Sequence, residues 1–60
     1  MKMGDFNLAI ETAIIDALNV KQGEPIPVVL EYALENVKTE YPFVTAEMVK
    51  KTYEDVMYDL

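Results

Sequence analysis

Along the first third of the chain, apolar residues recur every three or four positions: Phe6, Ala9, Ile10, Ala13, Ile14, Ala17 and Val20. At about 100° per residue they gather into one arc, which is what a core-facing helix requires. Asp5 is placed to act as an N-cap, and Gly23, after Lys21 and Gln22, supplies a stop signal. The spacing predicts a helix over about 5–21. A second apolar set, Leu8, Ile15 and Leu18, falls on another side of the same helix among Asn7, Glu11 and Gln22. This helix is therefore apolar on more than one face.

The stretch Gly23-Glu24-Pro25-Ile26-Pro27 reads as a loop that ends in the first turn of a second helix, where a missing backbone N–H costs little. That helix is expected over about 27–40. Val29, Leu30, Ala33, Leu34, Val37 and Tyr41 form its inward face, with Glu31, Glu35 and Lys38 opposite; Val28 and Tyr32 sit with the charged residues. Pro42 disfavours helical geometry at Tyr41 and closes the segment. Thr45 is a good N-cap, and Glu47 falls in the first turn of a third helix, expected over about 45–59. Its inward face reads as Val49, Tyr53, Val56, Met57 and Leu60. Three helices joined by short connectors, with no strand-like alternation, predict an all-α fold, a compact three-helix bundle forming a single small helical domain over 1–60.

Sixty residues lie near the lower limit for a self-supporting core, and no cysteine is present to brace it with a disulfide or a thiolate metal site. Packing must supply the stability. No apolar run reaches the length of a bilayer span, because Glu11, Asp16, Glu24 and Glu31 interrupt every candidate, and the N-terminal residues lack the pattern of a secretory signal. A cytoplasmic protein, or one made in the cytoplasm of a host cell, is the expectation, with no membrane partner.

Eleven acidic residues against five lysines, without arginine or histidine, give a net charge of −6. Such a field repels phosphate and favours partners with a basic surface. The same inventory removes most catalytic templates: there is no cysteine, histidine or serine nucleophile and no arginine to clamp a phosphate. No enzymatic activity, catalytic residue, cofactor or metal site is expected. Gly4 and Gly23 are isolated and form no phosphate cradle. Lys50 and Lys51 near the start of the third helix suggest a helix-turn-helix DNA reader as an alternative, but Glu47, Glu54, Asp55 and Asp59 crowd that helix. Nucleic acid is accordingly not the expected partner.

What remains is a set of apolar residues left over once a core is assigned: Leu8, Ile15, Leu18, Val28, Tyr32, Met48 and Tyr58. These are the candidate partner-binding residues, and Glu31, Glu35, Glu47, Glu54, Asp55 and Asp59 form a candidate acidic rim. Glu54, Asp55 and Asp59 stand at a helix C-terminus, where the helix dipole favours cations, so a basic partner gives them a use. The sequence thus points to a small acidic protein–protein interaction module. It would be an inhibitor or regulator of a larger protein, for example a mobile-element-encoded inhibitor that imitates nucleic-acid phosphates to a nucleic-acid-handling target. The other alternative is a homo-oligomer built on the second stripe, Leu8, Ile15 and Leu18, of the first helix.

Overall fold

A computed structural model describes residues 3–58 and contains three helices, α1 (Met3–Val20), α2 (Ile26–Lys38) and α3 (Ala46–Tyr58), with no strand among those residues. The all-α three-helix architecture is the one the hydrophobic spacing predicts. Asp5 is not the N-cap: α1 is already helical at Met3, and Asp5 lies within its first turn. A carboxylate is favourable there for the same electrostatic reason as at the cap, so the signal was genuine but sat further inside the helix. Expected members Asp59 and Leu60 of the third helix lie outside the described residues.

The helix ends follow from local chemistry. Gly23 has φ +89°, a left-handed conformation that side-chain-bearing residues resist, and it turns the chain after α1 while the Lys21 N–H still donates to the Ala17 carbonyl at 2.8 Å. Pro25 precedes α2 and Pro27 falls in its first turn; the Val28 and Val29 N–H groups donate to the Pro25 carbonyl at 3.0 and 3.2 Å. α2 stops at Lys38, short of the expected residue 40, because Glu40 and Tyr41 both donate their N–H to the Val37 carbonyl in a closing turn. At α3 the expected cap is present: the Met48 N–H donates to Thr45 Oγ1 at 3.2 Å.

α1 packs more extensively on α2 than either packs on α3. The two run antiparallel, since Phe6 near the start of α1 meets Tyr41 just past the end of α2. The largest fully buried side chains are Ile10 and Ile14 of α1, Val29 of α2 and Val49 of α3. Phe6, Ala17, Ala33, Val37 and Val44 complete the buried cluster, and among the described residues no polar one is buried with them. The Cα radius of gyration, 10.6 Å, is close to the roughly 10.4 Å expected of a compact chain of this length.

Two residues assigned inward are exposed instead, Val20 at 54% and Met57 at 37%. Both stand in the last turn of their helices. α1 has 18 residues and each partner helix 13, so α1 is longer by about 7 Å and cannot be covered along its whole length. Val44, which the helical periodicity could not place because it lies in a connector, is buried at 3%.

Replacing Ile14 by Ala is expected to cost about 2–5 kcal/mol in denaturant unfolding, a large part of the total stability of a chain this small. Thr45→Ala is expected to cost about 0.5–2 kcal/mol through loss of the α3 cap. Helical circular dichroism across a urea titration checks both.

Candidate functional site

The structure divides the seven leftover apolar residues into two groups. Leu8 (60% exposed), Ile15 (54%), Val28, Met48 and Tyr58 (93%) are exposed, whereas Leu18 and Tyr32 are half-buried and pack against the core. The sequence could not separate these cases, because Leu18 lies close enough to the inward arc of α1 to be drawn into the core. Tyr32 is further engaged by Lys21, whose Nζ stands 5.4 Å from the ring centroid. Leu8 and Ile15 are about two turns apart on one side of α1, and both point away from the buried set of Ile10, Ile14 and Ala17.

Of the expected acidic rim, Glu31, Glu35, Glu47, Glu54 and Asp55 are all exposed, and Asp59 lies outside the described residues. Glu31 and Glu35 share their surroundings with lysines. They line a groove between α2 and α3 together with Lys38 and Lys50, over an apolar floor that includes Leu30, Leu34 and Ala46, and a smaller one beside Lys21 and Tyr32. Lys50, the residue that raised the DNA-reading alternative, is thus placed along a groove edged by carboxylates.

A different set of carboxylates comes together between α1 and α2. Asp5, Asp16 and Glu40 line a groove of about 530 Å³ with Leu8, Ala9, Thr12, Ala13, Asn36, Val37 and Tyr41, and among the described residues no lysine joins that lining. The small side chains of Ala9 and Ala13 leave the space open; one turn further on, Ala17 is fully buried. Among the described residues no cluster of three carboxylates is tight enough to hold a metal ion. The sequence could show that Asp5, Thr12 and Asp16 lie off the inward arc. That Glu40 joins them depends on the antiparallel pairing of α1 with α2.

Beside this groove lies an aromatic trio. Phe6 and Tyr41 meet edge-on with centroids 5.2 Å apart, and Phe43 lies 5.1 Å from Phe6 and 5.9 Å from Tyr41. Phe6 is buried at 8%, while Phe43 remains 55% exposed. Phe43 was not among the candidate interface residues, because it falls in the α2–α3 connector, outside any helical stripe.

No helix among the described residues is long and apolar enough to cross a membrane. No family model matches the chain, and neither the curated proteins nor the solved structures compared with it provide a match.

Because Leu8 and Ile15 are exposed, the neutral replacements Leu8→Gln and Ile15→Gln are expected to shift unfolding free energy by no more than about 0.5 kcal/mol each. Larger losses in a urea titration would show that these side chains belong to the core.

Proposed function

We propose that this protein is an acidic helical interaction module that binds a larger protein through that protein's basic surface and thereby inhibits or regulates it. The observation that carries this reading is the placement of its exposed apolar side chains one helical turn from carboxylates. Leu8 stands a turn from Glu11, Ile15 a turn from Glu11 and next to Asp16, and Tyr58 a turn from Glu54 and Asp55. An apolar anchor supplies affinity when a partner removes it from water, and the carboxylates beside it steer encounter with a positive surface. A net charge of −6 extends that steering beyond the contact itself. A nucleic-acid-handling protein is one class of target with the required positive field.

The test is capture from a lysate of native cells, comparing wild type with the double variant Leu8→Gln/Ile15→Gln and with Tyr58→Ala at low and high salt. The reading expects wild type to retain a protein with a basic surface, less of it in at least one variant, and less at high salt as screening shortens the reach of the charges. Capture of no protein, or of one indifferent to both variants and to salt, would overturn it.

A further inference from the structure

The groove between α1 and α2 differs in charge from the other grooves of the molecule. Among the described residues its lining holds Asp5, Asp16 and Glu40 and no cation, whereas the α2–α3 groove sets Lys38 and Lys50 beside Glu31 and Glu35. Its floor is apolar, formed by Ala9, Ala13 and Val37. A carboxylate rim above an apolar floor matches the two parts of a long basic side chain, a charged head on an aliphatic stem.

The acids are not evenly spread. Antiparallel packing brings Glu40 and Tyr41, at the end of α2, to the Asp5 end of α1. Asp16 stands eleven residues further along α1, about 16 Å away. The groove, about 530 Å³, lies open to solvent along the line between the two helices. The first and last of five extended residues stand about 13 Å apart at roughly 3.3 Å per residue and project from the same face, and long basic side chains splay over the remaining few ångströms.

We propose that this groove is the recognition cleft for an extended basic segment of the partner protein, with one arginine at the Asp5–Glu40 end and a second basic residue four positions away, on the same face of the segment, at Asp16. Arginine suits the first end because Asp5 and Glu40 both line it: a guanidinium pairs with carboxylates in a planar fork and has donors for both, and an ammonium does this less well. This deepens the proposed function and rests on it, since it assigns the partner's basic surface to one cleft.

The probe is a capped peptide, Arg-Ala-Gly-Ala-Arg, titrated into the isotope-labelled full chain while backbone amide shifts are followed. The largest shifts are expected around Ala9–Ala13 and Asn36–Tyr41, with smaller ones in α3. Asp16→Asn/Glu40→Gln is expected to weaken binding about tenfold, whereas Glu54→Gln/Asp55→Asn, which removes the same charge from α3, changes it less than about twofold. Thr12→Trp leaves the charge unchanged, replaces an exposed residue and fills the groove; it is expected to abolish the shifts while the circular dichroism stays that of wild type. Equal loss in the two charge-matched pairs, unaltered binding to Thr12→Trp, or no groove shifts at millimolar peptide would each overturn the cleft. A captured partner that still binds Thr12→Trp would overturn the cleft and leave the proposed function standing. A chain that captures no protein would defeat the proposed function whatever the peptide does.

Discussion

The rest of the structure depends on the burial of Ile10 and Ile14 in α1 together with Val29 of α2 and Val49 of α3. These are the largest side chains fully removed from water, and α1 supplies two of the four. Each such burial contributes roughly 1.5–3 kcal/mol before conformational entropy is opposed to it. With no disulfide and, among the described residues, no metal site and no buried polar side chain, apolar and aromatic packing around these four ties the three helices together. Thr45 and Gly23 set where helices begin and end, but the apolar cluster holds them against one another.

That dependence shapes the surface. One side of α1 is committed to the core, and the alanines at 9, 13 and 17 allow α2 to lie close. At Ala17 the surface of α1 is fully covered; at Ala9 and Ala13 a groove stays open between α1 and α2, lined by acids. The side of α1 that carries Leu8 and Ile15 is left to solvent. Core and proposed binding surface are therefore two sides of one helix, and the outer residues can change without disturbing the inner ones.

The fold was legible in the sequence because its signal is local. Phe6, Ile10, Ile14 and Ala17 fall on one arc, Val29, Ala33 and Val37 on another, and both are buried. What escaped was what depends on neighbours. Val20 belongs to the inward arc by angle yet stands beyond the cover of shorter helices, and Leu18 and Tyr32 belong to the outer set yet are drawn against the core. Val44 and Phe43, one buried and one exposed, sit in a connector where no period applies. The acidic groove needs residues from both α1 and α2, so it exists only after the antiparallel pairing is known.

Under the proposed function Leu8 and Ile15 meet a basic partner rather than another copy of the same chain. Two copies, each with net charge −6, repel, and Leu18, which would have widened a self-complementary patch, is occupied by the core. Sedimentation equilibrium of the pure protein at high micromolar concentration tests this division of α1 most directly. The account predicts the mass of one chain, unchanged by Ile15→Gln. A dimer mass that reverts to one chain in Ile15→Gln would contradict it, because the outer side of α1 would then be an interface between copies rather than a surface kept free for a basic partner.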